Sequence, residues 1–215
     1  MDKYKVAIII PAFNEEATIF RVVQSVREYG EVIVINDAST DETGKIAEKA
    51  GATLVNHKKN KGYDGALNSG FVKAGELNCD VVITFDADGQ HNQRFIKEYI
   101  DLLGQGFQVV VGIRGRFQRV SEYIFSWVSI WKWGIKDPLC GMKAYRIDVF
   151  NQLGYFDSYS SIGTELAIYA AAHQNIKIAQ HPIKIKGRQD KPRFGNMFSA
   201  NINILRSLWI GCKRY

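Results

Sequence analysis

Cysteine is scarce. The three present, Cys79, Cys140 and Cys212, are widely spaced with no Cys-x-x-Cys, which argues against a disulfide framework and a cysteine-based zinc site. A reducing cytoplasm is the expected setting. Only four prolines occur, and no low-complexity or Gly/Ser-rich tract marks a linker, so 215 residues are expected to form one domain. Long apolar runs are also missing: none approaches the ~20 residues that span a bilayer. The run near the amino end stops at Pro11 and turns polar at Asn14-Glu15-Glu16, unlike a secretory leader. Any membrane contact is therefore expected from the surface. A P-loop is excluded because Gly65 and Gly70 have its spacing but are followed by Phe71-Val72 instead of Lys-Ser/Thr.

What is present is globular, with 46% hydrophobic and 23% charged residues. The formal charge of +6 suits an anionic partner, whether a nucleic acid, a membrane surface or a phosphorylated substrate. It is unevenly placed. Residues 113–146 carry seven bases against two acids and residues 184–215 eight against one, a net +12, which leaves −6 elsewhere. Basic charge thus collects in the carboxyl half, as a site for an anion requires.

Short Val- and Ile-rich runs at Lys5–Ile10, Glu31–Asn36, Ala52–His57 and Val81–Phe85 read as strands. Segments with helical spacing separate them. Ile19, Val22, Val23 and Val26 mark the first helix; Ser39 or Thr40 opens the second and Gly51 closes it; Ala66, Leu67, Gly70, Phe71 and Ala74 share one side of the third. A helix carrying Phe95, Ile96, Tyr99, Ile100 and Leu103 and a strand at Phe107–Ile113 follow, after which the alternation fades. Such β-α alternation predicts a mostly parallel sheet with helices on both faces and ligands at the carboxyl ends of the strands.

The sharpest signal lies at one such end, in Phe85-Asp86-Ala87-Asp88-Gly89-Gln90-His91. If the extended geometry persists, Asp86 and Asp88 point to one side, and two hard oxygen ligands at that spacing suit Mg²⁺ or Mn²⁺. Gln90 or His91 could complete the shell. A helix-capping role would explain one Asp and leave the other without a reason. The first two strands run into Pro11-Ala12-Phe13-Asn14-Glu15-Glu16 and Asn36-Asp37-Ala38-Ser39-Thr40-Asp41, which repeat the acidic and amide character on the same sheet edge.

These residues together resemble the inverting nucleotide-sugar glycosyltransferases of family 2, which have the GT-A fold. The resemblance runs through PAFNEE at 11–16, INDASTDET at 35–43, NKGYDGALNSG at 60–70, FDADGQH at 85–91, VVVGIR at 109–114, DPLCGMKAYR at 137–146, and the GTEL and RQDKPRFG segments near 163 and 188. Within that family it is nearest the branch of dolichyl-phosphate mannose synthase and polyprenyl-phosphate glycosyltransferases. It implies a single three-layer α/β/α domain, with residues 1–112 holding donor and metal and residues 113–215 the acceptor. By the same resemblance Pro11, Asn14, Glu15 and Asp37 would line the pocket for a UDP- or GDP-sugar, and Asp86 with Asp88, helped by Gln90, would hold the metal on its diphosphate. Arg114 would face the diphosphate or the acceptor phosphate, and Arg188 and Arg193 would close over the phosphates. There are departures: Asn36 replaces a common Asp, and Tyr63-Asp64 replaces a common Gly-Lys-Gly pattern.

The implied acceptor is a polyprenyl phosphate, with a saccharide hydroxyl as the alternative. A phosphate monoester, with a second pKa of about 6, needs little help from a base. A hydroxyl needs one, and Asp137 or Glu165 are the candidates, each equally readable as structural: Asp137 precedes Pro138 in a turn and Glu165 opens a helix. Trp127 and Trp131, four apart and beside Lys132 and Lys136, have the composition of a helix at a membrane boundary, and the tail repeats it with Ile204, Leu205, Leu208 and Trp209 before Lys213-Arg214. Packing against the core or across a dimer would use the same pattern. A cytoplasmic enzyme, or one peripheral on the cytoplasmic face of a membrane, is expected. A haloacid-dehalogenase phosphatase would share Asp-x-Asp-Gly but needs a second acidic pair, and here the later aspartates are isolated. A sugar-phosphate nucleotidyltransferase should open with a Gly-rich basic loop instead of Pro11–Glu16. Nucleic-acid binding would explain the net charge but not a metal-type pair in the acidic half.

Overall fold

Three of the Val- and Ile-rich runs, at Lys5–Ile10, Glu31–Asn36 and Val81–Phe85, lie inside one sheet with their apolar residues buried on both faces, as parallel strands require, and the fourth, at Ala52–His57, is its part-buried edge. The computed structural model describes residues 4–155, 162–185 and 197–215. Its elements, in chain order, are β1 (Val6–Ala12), α1 (Ile19–Val26), β2 (Glu31–Asn36), α2 (Thr43–Lys49), β3 (Thr53–Asn56), α3 (Gly62–Glu76), β4 (Val81–Thr84) and α4 (Arg94–Gly104). There follow β5 (Val109–Arg114), α5 (Val120–Trp133), β6 (Lys143–Arg146), α6 (Ile147–Leu153), α7 (Glu165–Ala172), β7 (Ile178–Ile183) and α8 (Met197–Arg214). The seven strands lie in the order β3-β2-β1-β4-β6-β5-β7. All run the same way except β6, which pairs antiparallel with β4 and β5.

Alternate residues of β1 enter opposite cores. Ile8 and Ile10 pack with α1 and α4, through Val22, Val23, Phe95 and Tyr99. Ala7 and Ile9 pack with α3, α6 and α7, through Leu67, Phe71, Phe150 and Leu166. The result is the expected α/β/α layering. A third cluster, built on Phe125, Trp133, Ile168, Ile204 and Leu208, seats α5 and α8 on the outside of α7.

The first five strands and first four helices fall where the periodicity places them, with two shifts. Strand β1 runs on through Pro11, whose ring nitrogen has no proton to donate. Its position faces β4, and pairing with β4 has already ended at Ile9, so no ladder bond is lost. Helix α2 begins at Thr43 instead of Ser39 or Thr40, because those two residues bond to the β1 loop and the Asp41 carboxylate accepts from the Thr43 amide and hydroxyl. Strands β6 and β7 have no counterpart in the sequence reading.

Gly70 lets α3 lie close on β1. A Cβ there would fall inside the van der Waals envelope of the Ile9 side chain. Gly70→Ala is expected to cost about 1–3 kcal/mol through overpacking. Urea denaturation should show a lower midpoint with an unchanged slope.

Candidate active site

The strand order reverses between β1 and β4, with β2 and β3 to one side and the later strands to the other. A crevice at the carboxyl ends of the strands is the normal ligand position at such a point. The β1–α1 and β4–α4 loops flank it. Because β6 is antiparallel, the segment 137–142 that precedes it reaches the same edge, and the Thr84 hydroxyl fastens it by donating to the Gly141 carbonyl at 2.6 Å and accepting from the Lys143 amide at 3.1 Å. Arg114 arrives there at the end of β5.

The β1 and β2 loops are stitched together by side-chain oxygens. Asn14, in a left-handed conformation at φ 55, donates its amide N–H to Ser39 Oγ at 2.9 Å and accepts the Thr40 N–H at 2.8 Å. The Glu15 N–H donates to Thr43 Oγ1 at 2.7 Å, and the buried Glu15 carboxylate accepts from Thr18. Neither Asn14 nor Thr40 caps a helix. Asn36, one of the departures noted above, donates its side-chain amide to Asn56 Oδ1 at 2.8 Å, which a carboxylate could not do. Asp37 is buried, and both its oxygens accept internal bonds: Oδ1 from the Lys61 N–H at 2.8 Å and His57 Nδ1 at 2.6 Å, Oδ2 from the Gly62 N–H at 2.9 Å. It ties the β2 loop to the start of α3 and so shapes this wall of the crevice.

Strand β4 ends at Thr84, so Asp86 and Asp88 are placed by a turn and not by the pleat of an extended strand. Asp88 Oδ1 accepts the Gln90 N–H at 3.0 Å, and Gly89 supplies the positive φ of 74° that the turn requires. Helix α4 starts only at Arg94, with Gln93 before it, so neither Asp serves as its cap. The Asp86 carboxylate accepts from Tyr63 Oη at 3.0 Å and His91 Nε2 at 2.9 Å, and its side chain remains 30% exposed. Burial pushes the Asp86 carboxyl up. Hydrogen bonds from His91 and Tyr63 and the nearby Lys143 ammonium outweigh that and hold it below its ordinary value, so the group is a carboxylate at neutral pH.

A magnesium or manganese ion fits this donor set. Two carboxylate ligands would leave most of an octahedron to water and a diphosphate, the usual arrangement for magnesium. The lack of a Cβ at Gly141 lets the Asp86 carboxylate lie against this segment, since a Cβ there would collide with it. His91 Nδ1 is buried with no hydrogen-bond partner among the described residues, which marks unused polar capacity beside Asp86. Among those residues no group of three or more His, Cys, Asp or Glu is placed to hold a metal ion.

The sequence pattern assigns no role to three further groups here. Lys143 is buried, and its ammonium donates to the Gly163 carbonyl at 3.0 Å; burial lowers its pKa, with the thiol of Cys140 and the carboxylates of Asp137 and Asp86 opposing. Tyr63 and Asp64 are the two departures noted in the α3 motif. Tyr63 bonds Asp86, and Asp64 accepts the Ile162 N–H at 3.0 Å and the Gly163 N–H at 2.7 Å. Ile162 has φ 54, a strained conformation for a β-branched residue, and this pair of bonds holds it. Asp64→Ala would leave both amides unpaired and is expected to cost about 1–3 kcal/mol in denaturant titration. The signal in the sequence was the departure itself.

Arg114 and Asp137 meet. The guanidinium donates Nε to Asp137 Oδ2 at 2.8 Å and Nη2 to Oδ1 at 2.9 Å, and lies 3.3 Å from Glu122 Oε2. Burial opposes its charge, but the Asp137 bonds outweigh that and raise its pKa. Arg119 pairs with Glu122 at 3.0 Å. Asp137, 1% exposed, thus has Arg114 as its charged partner in a four-residue network with Glu122 and Arg119, as a buried carboxylate requires. Glu165, at the start of α7, is buried with Oε1 2.6 Å from Arg214 Nη1 of α8. Arg188 and Arg193 lie outside the described residues; β7, which precedes them, ends on the site edge.

The glycosyl transferase family 2 profile matches residues 7–154 of the chain, which takes in this crevice, both aspartates and β6. The chain belongs to glycosyl transferase family 2 and is a glycosyltransferase. It is 27% identical over 202 residues to an uncharacterised protein of Methanocaldococcus jannaschii, covering 86% of this chain and 82% of that one. It is 27% identical to a dolichyl-phosphate hexose transferase of Haloferax volcanii, covering 94% and 91%. It is also 35% identical over 127 residues to a UDP-N-acetylglucosamine–dolichyl-phosphate N-acetylglucosaminyltransferase of Methanococcus voltae, over about half of each chain, 50% and 51%. Among solved structures, glucosyl-3-phosphoglycerate synthase of Mycobacterium tuberculosis, with Mg²⁺ and UDP, superposes with a TM-score of 0.81 at 22% identity, over 98% of this chain and 80% of that one. The fold is the GT-A fold.

Proposed function

We propose that this glycosyltransferase moves a sugar from a UDP- or GDP-sugar to the phosphate of a polyprenyl lipid, with inversion at the anomeric carbon. The observation that carries the reading is the state of its two candidate bases. Asp137 is held in a bidentate pair by Arg114, and Glu165 is held by Arg214. A guanidinium so close stabilises the carboxylate and weakens it as a proton acceptor. A sugar hydroxyl would need such an acceptor. A phosphate oxygen, already ionised, attacks without one. The two relatives named for dolichyl-phosphate transfer support the same acceptor class.

In this reading the β1 and β2 loops, with Pro11, Asn14, Glu15 and Asp37, form the nucleotide wall. Asp86 and Asp88, with Gln90 beside them, would hold Mg²⁺ or Mn²⁺, which when bound would supply positive charge to the departing diphosphate. Tyr63 and His91 fix the Asp86 carboxylate in position before substrate arrives. Lys143 adds a buried positive charge in place beforehand, where it stabilises developing negative charge most. The acceptor side of the crevice belongs to the half formed by residues 113–215, and Arg188 and Arg193 are assigned to phosphate contact in this scheme.

The test is transfer of labelled sugar from UDP- and GDP-sugars to polyprenyl phosphate or to soluble saccharides. The expected product is an acid-labile lipid-linked sugar. Transfer confined to saccharide hydroxyls would overturn the reading.

A further inference from the structure

The surface carries a large apolar feature that the chemistry does not use. On α5, Tyr123, Ile124, Trp127, Ile130 and Trp131 recur at three- and four-residue spacing on the exposed side, with Trp127 74% and Trp131 83% accessible. Helix α8 exposes Ile202, Leu205 and Trp209, the last 61% accessible. The two helices lie side by side and run in the same direction: the Ser121 hydroxyl donates to Asn201 near their starts, and Lys132 Nζ donates to the Cys212 carbonyl near their ends. Their inner sides already bury Phe125, Trp133, Ile204 and Leu208, so folding does not require the outer stripe. Exposed apolar stripes on two neighbouring helices mark an interaction surface.

Charge selects the occupant. Helix α8 contains no acid, and the single acid of α5, Glu122, is buried against Arg114 and Arg119. Lys132, Lys136, Arg206 and Lys213 are exposed. A second copy packed through this face would set one basic rim against another with no exposed acid on either helix to offset it. Among the described residues no helix is long and apolar enough to cross a membrane. Aromatic residues with a basic rim and no exposed acid are the composition of a helix lying in a lipid headgroup layer.

We propose that α5 and α8 together form a docking surface for an anionic lipid leaflet. The stripe begins where the site ends, because the first turn of α5 holds Glu122 against Arg114 and Arg119. Docking there brings the headgroup layer to the acceptor side of the crevice. That link to the acceptor rests on the lipid-phosphate reading above; the docking does not.

The experiment is flotation of the whole chain with phosphatidylcholine vesicles, with and without phosphatidylglycerol. Wild type should float with the anionic vesicles and release in high salt. Replacing Trp127, Trp131 and Trp209 by Ala should weaken that binding more than about tenfold, and each of Lys132→Gln and Lys213→Gln about fivefold. Exposed tryptophans make no core contact, so the triple variant should melt as wild type and transfer to a short-chain, water-soluble prenyl phosphate without vesicles at the wild-type rate. Unchanged flotation of the triple variant overturns the proposal, as does a wild-type dimer that the substitutions dissociate. If flotation responds as expected and the soluble prenyl phosphate receives no sugar from either protein, the docking surface stands and the acceptor reading falls.

Discussion

Asp88→Asn is expected to lower transfer by about 10²–10³-fold, the scale on which removal of one preorganised charge-stabilising group acts. The fold should not notice. The amide oxygen of Asn can still accept the Gln90 N–H that Asp88 Oδ1 accepts, so the turn after β4 keeps its shape. What is lost is one negative charge, and with it a hard oxygen ligand for the ion that neutralises the diphosphate. Steady-state assays across a magnesium or manganese titration, with a melting curve of the same preparation, check both halves. Near-wild-type activity would remove the metal role from Asp88.

Asp137→Ala should act first on stability. It strips the bidentate partner from Arg114, which among the described residues keeps one carboxylate, Glu122 at 3.3 Å, and is left with an incompletely compensated charge. Breaking a buried pair in this way costs about 3–5 kcal/mol, and for a chain of this size each kcal/mol lowers Tm by roughly 2–4 °C. Asp137→Asn separates structure from chemistry. It retains shape and one acceptor, so a positioning role predicts activity that follows the fraction folded. A general base predicts a rate loss of about 10²–10⁴-fold in a protein that melts little lower. With polyprenyl phosphate as acceptor, the first pattern is expected.

The central strands could be read from the sequence because Val81–Thr84 and Val6–Ile10 are buried on both sides and carry their apolar character without interruption. Strand β6 could not. Lys143-Ala144-Tyr145-Arg146 looks polar, and it is a strand only because β4 and β5 stand on either side to pair with it. Strand β7 carries Gln180, His181 and Pro182, and among the described residues it is an edge strand paired with β5. The site divides in the same way. Asp86, Asp88, Arg114, Asp137 and Glu165 were identifiable as residue types in order. Their commitments were not, since Arg114 finds Asp137 and Glu165 finds Arg214 only through the fold. Extended geometry through Asp86 and Asp88 was the natural expectation after an apolar strand; a turn replaced it because Gly89 adopts positive φ and Asp88 bonds its own backbone two residues on. The aromatic stripe was visible as a spacing of four, but only burial separates Trp133, which enters the core, from Trp127 and Trp131, which do not.

Thermal unfolding with UDP or GDP, each with and without Mg²⁺ or Mn²⁺, tests the donor site most directly. A ligand at about 100 times its dissociation constant adds about 2.7 kcal/mol. One diphosphate should therefore raise Tm by about 5–10 °C, only when the metal is present, and the rise should vanish in Asp88→Asn. An equal rise without metal, or an undiminished one in that variant, would contradict a donor diphosphate held through Asp86 and Asp88.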